Sequence, residues 1–204
     1  MKNKIKKIHF IGIGGSGMSG IAEVMHNLGF NISGSDSASS KVTRELKQMG
    51  IKISFKHDAR NVNNADVIVI SSAISKTNIE RKAGQKKNIP IIPRAEMLSE
   101  LMRFKKGIAV AGTHGKTSTT SILASILSEG KLDPTFVIGG RINSMKANAK
   151  LGTGDLFVVE ADESDASFLH LNPVSTILTN IDREHLETYQ GDFERLKATY
   201  LDFI

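Results

Sequence analysis

The chain has 204 residues, 40% of them apolar and 24% charged, which suits one large or two modest globular domains and excludes wholesale disorder. It has no cysteine, which excludes a disulfide scaffold, a thiolate metal site and a Cys nucleophile. Its net charge of +6 is unevenly spread, with 19 basic and 8 acidic side chains in residues 1–107 but 8 and 13 in residues 108–204.

Strand and helix signals alternate along the chain. An apolar strand over residues 7–13 runs into a glycine cluster. That cluster opens a helix with Met18, Ile21, Ala22, Met25 and Leu28 at helical spacing and Gly29 as its stop. A strand over 31–35 ends at Asp36, a helix follows over 40–49 to Gly50, and a short strand is expected over 51–55. The run Asp66 to Ile70 is β-branched throughout after its first residue, as a strand buried on both faces should be. A helix over 79–87 and a strand over 89–92, closed by Pro93, come next. Residues 94–103 read as a connecting helix with Ala95, Leu98, Leu101 and Met102 on one face.

The Lys105-Lys106-Gly107 break then introduces a second strand, glycine turn and helix, over which Ile122, Leu123, Ile126 and Leu127 are expected to form the buried stripe before Gly130. Further strands are expected over 135–138, 156–160 and 176–179. Asp192 caps a last helix carrying Phe193, Leu196 and Tyr200. This grammar predicts an α/β protein with parallel sheets: a Rossmann-like domain over residues 1–106, then the first part of a P-loop-type α/β domain over 107–204.

Two glycine turns of similar design point to two phosphate sites. The first, Gly12-Ile-Gly14-Gly15-Ser16-Gly17, satisfies G-x-G-x-x-G between strand and helix. Glycines there let the backbone approach a pyrophosphate at the helix N-terminus. Asp36, 19 residues after Gly17 at the end of the next strand, is placed to take a ribose hydroxyl pair. The motif leaves the nucleotide open, with NAD the default. The second, Gly112-Thr113-His114-Gly115-Lys116-Thr117, is a phosphate cradle with a lysine for the β/γ-phosphates and a hydroxyl for Mg²⁺. Two residues separate its glycines where the common P-loop has four.

A third feature is the strand from Leu156 to Glu160 that runs into Asp162, Glu163 and Asp165. It sets acid at the carboxyl end of a parallel sheet, where such sheets bind ligands and where a carboxylate can hold Mg²⁺ beside Thr117. His185 lies just past another strand; a lone histidine in such a place is more often structural than a ligand.

Other classes fit less well. Two Tyr and no Trp leave few stacking partners for nucleic acid. The apolar runs are too short to span a membrane, and no cleavage site follows the basic start. A cytoplasmic protein is expected. The lysines at 2, 4, 6, 7, 86, 87, 105 and 106 are read as a solvated surface, while the basic half suits a phosphate-bearing ligand and the acidic half bound cations.

Taken together, the motif from Gly12 to Glu23, Ser33-Gly-Ser-Asp36, Ser71-Ser-Ala-Ile74, Gly112 to Thr117 and the stretch from Glu160 to Leu169 resemble the Mur ligases, in this order and over residues 7–204. The narrower likeness is to the members that add L-alanine to UDP-N-acetylmuramate, and the Gly-Gly-Ser-Gly-Met-Ser stretch sets the chain apart from the peptide-recycling members. The resemblance implies that the first domain holds the UDP part of the sugar substrate rather than NAD. Gly12, Gly14, Gly15, Ser16, Gly17 and Met18 would then line the diphosphate site, with Asp36, Ser71 and Ser72 near the ribose or uracil.

It further implies that the second domain binds ATP through Gly112, Thr113, His114, Gly115, Lys116, Thr117 and Ser118. Thr117 would hold one Mg²⁺, Glu160 with His185 another metal, and His114 would sit near the sugar's lactyl carboxylate. The implied reaction is amide ligation through an acyl phosphate. Carboxylate is a poor acyl donor in water, and Lys116 with Mg²⁺ offsets its repulsion from a triphosphate.

Ser118 stands where the family more often repeats Thr, and Glu184 precedes His185 where Asp is usual. Family members also continue through more of the second sheet and a third domain, so this chain alone is expected not to ligate. An NAD-linked oxidoreductase would leave Gly-Lys-Thr and the acidic run idle. A nucleotide-binding module without chemistry would account for both phosphate sites.

Overall fold

The structure is a computed structural model. It describes residues 5–142 and 147–204, apart from the side chains of residues 16, 140–142 and 147. The chain forms two compact units, residues 1–97 and 98–204.

The first unit is a five-stranded, wholly parallel sheet. Its strands are β1 (Lys7–Ile11), β2 (Asn31–Ser35), β3 (Lys52–Ser54), β4 (Val67–Ile70) and β5 (Ile91–Pro93), in the order β3-β2-β1-β4-β5. The order turns back at β1, the switch point outside which α/β sheets bind ligands. Helices α1 (Ser16–Asn27), α2 (Lys41–Gln48) and α3 (Ile79–Lys86) connect the strands. Serine starts α2 as its residue type favours: Ser40 accepts from the Thr43 N–H, and the Thr43 hydroxyl answers at the Ser40 N–H. The strand β5 takes two prolines at its ends because it lies at the sheet edge, where fewer N–H groups are needed.

Register divides one face of this sheet in two. Ile11, Ile68 and Ile91 share it on the β1-β4-β5 side and pack with Val62 and Ala83 into an apolar cluster. His9, Ser33 and Lys52, with Ser35 and Ser54, share it on the β1-β2-β3 side. The polar alternation of Asn31-Ile-Ser-Gly-Ser therefore marks a strand with one polar face.

The second unit has the strands β6 (Lys106–Ala111), β7 (Thr135–Ile142), β8 (Ala147–Lys150), β9 (Leu156–Glu160) and β10 (Ser175–Leu178), in the order β10-β6-β9-β7-β8. All neighbours are parallel except β8, which pairs antiparallel with β7. Strand β8 is not foreseen from sequence, since Ala-Asn-Ala-Lys has little β-propensity.

Helix α5 (Lys116–Glu129) covers the sheet, with only half of the expected stripe facing inward. Ile122 and Ile126 point outward, at 60% and 62% exposed. Thr120 and Ala124 are buried instead, and Leu123 and Leu127 flank Ala124 against Phe136, Ile138 and Val158. Small side chains at 120 and 124 let the helix lie close to the sheet, so the inward face centres on them rather than on the larger isoleucines. Leu28 of the first unit is likewise exposed, past the end of α1.

Helices α4 (Arg94–Met102) and α6 (Phe193–Phe203) complete the set of α-helices. Asp192 caps α6 by accepting from the N–H groups of Glu194 and Arg195, and Tyr200 and Phe203 pack on Phe168 at 5.2 and 4.8 Å between ring centres.

Candidate functional site

In the first unit the glycine turn is set by the strand beside it. Ser35 at the end of β2 accepts with its carbonyl from the N–H of Gly12 (2.8 Å) and of Ile13 (3.0 Å). The Asp36 carboxylate accepts the next one, from Gly14 (2.8 Å), and a longer bond from Ala38 (3.3 Å). Three successive turn amides are thus held by two neighbouring residues. Gly12 has φ +81°, and a side chain there would press on Ile74 and Ser71 from the loop after β4. Gly12 and Ser71 therefore face each other across the switch point. Gly15 is the N-cap of α1 and leaves the helix N-terminus without a side-chain cap.

Gly17 is glycine for a reason the sequence does not display. The guanidinium of Arg94 lies where its Cβ would be, which brings a cation beside the first turn of α1 from 77 positions further along the chain. Met18, by contrast, is a core residue: its side chain is 1% exposed and its N–H is already bonded to Gly15. Ser72 is exposed and Ser71 half-buried. The side chain of Ser16 lies outside the described residues.

In the second unit three adjacent parallel strands, β9, β6 and β10, bring their carboxyl ends together. Gly112 (φ +131°) and Gly115 (φ +79°) shape the turn after β6, and Gly115 caps α5 with no side chain in the way. The Lys116 ammonium folds back over this turn. It donates to the carbonyls of Gly112 (2.6 Å) and Thr113 (3.1 Å) and to Oε1 of Glu163 (2.8 Å). Glu163 is 1% exposed, and its other oxygen has no hydrogen-bond donor among the described residues. At the next residue, the Thr117 hydroxyl donates to Oε1 of Glu160 (2.8 Å), whose Oε2 accepts from the Gly139 N–H (2.8 Å). Thr113, Gly115, Lys116, Thr117, Ser118 and Glu160 line a cleft of about 320 Å³.

The loop after β10 braces the turn. His114 donates its N–H to the Asn180 side chain (2.9 Å), and its carbonyl accepts from Thr179 (2.7 Å) and Asn180 (3.0 Å). Its half-exposed ring points Nε2 toward Asp182 (3.6 Å) and Glu184 (3.8 Å). Glu184 thus faces His114. Deeper in, Tyr189 donates to the Glu163 carbonyl; burial and the Glu163 charge push its phenol up to about 12.

Both units thus present a glycine turn at a helix N-terminus, and residues 7–204 match two family models in sequence. Residues 7–119 match the model described as Mur ligase family, catalytic domain, and residues 110–204 match the Mur ligase middle domain. The chain belongs to the Mur ligase family. The UDP-N-acetylmuramate–L-alanine ligases of Azoarcus sp. and Janthinobacterium sp. are each 61% identical to this Mur ligase chain over all of it. The chain spans 44% of the length of those relatives. Among solved structures, the UDP-N-acetylmuramate-alanine ligase of Thermotoga maritima superposes with a TM-score of 0.90 at 32% identity, over 97% of this chain and 46% of that one. The UDP-N-acetylmuramate:L-alanyl-gamma-D-glutamyl-meso-diaminopimelate ligase of Neisseria meningitides gives 0.90 at 30%, over 98% and 68%.

Within the Mur ligase frame, the structure brings Lys116, Thr117, Ser118, Glu160 and the Gly112–Gly115 turn into one cleft edge, with Glu163 behind them. His185 stands apart. It is exposed, in a left-handed turn at φ +55°, and among the described residues no hydrogen bond or ion pair joins it to Thr117 or Glu160. No group of three or more His, Asp or Glu among the described residues is arranged to hold a metal ion. No helix among them is long and apolar enough to cross a membrane. Arg94 and the individual pairing of Glu163 were missed from sequence. The rule that a glycine beside a helix start needs a reason would have pointed to a neighbour over Gly17, though not to which one.

Proposed function

We propose that this chain provides the sugar-nucleotide and ATP sites of a cytoplasmic amide ligase that joins L-alanine to UDP-N-acetylmuramate. The observation that carries the reading is the second glycine turn, where Lys116, Thr117 and Glu160 converge on one cleft in a chain 61% identical to enzymes of that name. Residues 1–106 are assigned to the UDP-sugar and residues 107–204 to ATP. Gly12, Gly14, Gly15, Ser16 and Gly17 cradle the diphosphate at the N-terminus of α1, and Arg94 adds a fixed positive charge. Asp36 keeps one carboxylate edge on the turn, and with Ser71 and Ser72 it is assigned to the ribose and uracil side. Met18 supports this site only by packing.

In the second unit Lys116 has all three ammonium protons taken by protein acceptors, so a triphosphate must replace at least one of them. A hydroxyl and a carboxylate 2.8 Å apart are the hard oxygen donors that Mg²⁺ favours. Thr117 would hold one Mg²⁺ there and Glu160 another metal, with His185 as the further donor this reading needs, and the cations would offset the charge of the phosphates. Gly112, Thr113, His114, Gly115 and Ser118 are assigned to the same ligand. ATP supplies the phosphoryl group that converts the sugar carboxylate into an acyl donor for the alanine amine. His114, flanked by Asp182 and Glu184, is assigned to orienting that carboxylate.

Calorimetric titration tests the reading. UDP-N-acetylmuramate and Mg·ATP are expected to bind as two separate ligands, and NADH is expected not to bind. Binding of NADH without the UDP-sugar would overturn it in favour of an oxidoreductase.

A further inference from the structure

Glu80, in the first turn of α3, is 0% exposed. Burial by itself would raise its pKa, but the His9 ring close by and hydrogen bonds from Ser35, Asn61 and His57 outweigh that and bring it down to about 2. Its Oε2 accepts from the Ser35 hydroxyl and lies 3.1 Å from His57 Nδ1 and 3.7 Å from His9 Nε2. Its Oε1 accepts from the Asn61 side chain and from the Asp58 N–H (3.2 Å). A buried charge of this kind adds little stability over a well-packed apolar group of the same size. The polar half of the sheet face, with Ser33 and Ser35, is built to receive it all the same.

The groups it gathers share one location. Ser35 ends β2, His57 to Asn61 follow β3, and Glu80 itself begins the helix that follows the loop after β4. Those are three neighbouring loops at the carboxyl edge of the first sheet. One of them bears directly on the glycine turn, because the Ser35 carbonyl holds the Gly12 and Ile13 amides. The side-chain anchor and the carbonyl that sets the turn thus belong to one residue, next to the Asp36 that holds Gly14.

We propose that Glu80 is a positioning residue for the UDP-sugar site: through Ser35 it fixes the glycine turn, and through Asp58 and Asn61 it fixes the loop after β3 at the same edge. The proposal rests on the first unit being the UDP-sugar site. A purely structural Glu80 would change the melting temperature and leave the affinity of the folded protein alone. A positioning Glu80 changes the affinity for one ligand only.

The test is calorimetric titration with UDP-N-acetylmuramate and, separately, Mg·ADP, on the unsubstituted protein, Glu80→Gln, Ser35→Ala and the double variant. Glu80→Gln should weaken UDP-sugar binding by about tenfold or more, as loss of hydrogen bonds to a charged group does, with Mg·ADP binding unchanged. Ser35→Ala should weaken it too, and the two effects should not add, since both act on one contact. UDP-sugar affinity within about twofold of the unsubstituted protein in either variant, or strict additivity, would overturn the proposal. If Glu80→Gln does not fold, Ser35→Ala decides alone, because it removes only the hydroxyl. Failure of the unsubstituted protein to bind the UDP-sugar would remove the function reading and this proposal together, whereas binding that every variant retains removes the proposal only.

Discussion

A carboxylate can stay ionised out of contact with water only while donors surround it, and this gives Glu80 a measurable signature. Its pKa falls from an ordinary 4.5 to about 2 on folding. A group depressed in this way stabilises the fold above its unfolded pKa, and the contribution is lost as pH falls from about 4.5 toward 2. Urea unfolding of the protein should therefore show a midpoint that drops through that window. In Glu80→Gln the midpoint should be lower near neutrality and the drop shallower, so the two curves converge in acid. Parallel curves would mean that the groups around Glu80, His9 and His57 included, do not hold its charge.

The same scale shows what a sequence can and cannot display. Gly112 to Thr117 were legible because their chemistry depends on spacing within six residues. Glu163 was visible only as one acid among four, since its partner Lys116 is 47 residues away and only the β6–β9 register brings them together. Glu80 carried no signal at all: an acid two residues after Asn78 reads as an ordinary helix start.

At the scale of elements, the two left-handed glycines around Lys116 separate backbone conformation from space. Gly115 has φ +79° with nothing within 4 Å of where a methyl group would sit, whereas a side chain at Gly112 would strike Thr179 and the backbone of Asn180. Gly115→Ala should cost about 1–2 kcal/mol, the usual penalty of a left-handed L-residue. Gly112→Ala should cost about 3 kcal/mol or more, because overpacking is added to it. Chemical denaturation of both variants checks the difference, and equal losses would mean that the loop after β10 yields freely.

The elements themselves were mostly legible. The strands over 31–35 and 156–160 fall where alternation and β-branching put them. Helix α5 was found, but only half of its inward face: Leu123 and Leu127 do pack on the core, whereas hydrophobicity ranked Ile122 and Ile126 above Thr120 and Ala124. Close packing favoured the smaller pair. The antiparallel β8 was missed because it exists by pairing with β7, not by its own composition.

For the molecule as a whole, the uneven charge gains a meaning from the two sites. Arg94 stands beside the first glycine turn in the basic half, while Lys116 is balanced by Glu163, with Glu160 nearby, in the acidic half. A sugar diphosphate needs fixed cations, whereas a triphosphate that arrives with Mg²⁺ needs carboxylates for the metal as well as a lysine. Two substitutions should then have opposite ligand profiles. Arg94→Ala should weaken UDP-N-acetylmuramate binding by about tenfold and leave Mg·ATP binding unchanged. Lys116→Met should weaken Mg·ATP binding by about 100-fold and spare the UDP-sugar. Each variant is the other's folding control, since a protein that still binds one ligand at full affinity has not unfolded. Loss of both ligands in either variant would mean that the two sites are not separate, and a loss with the ligands exchanged would reverse the assignment of sugar nucleotide and ATP to the two units.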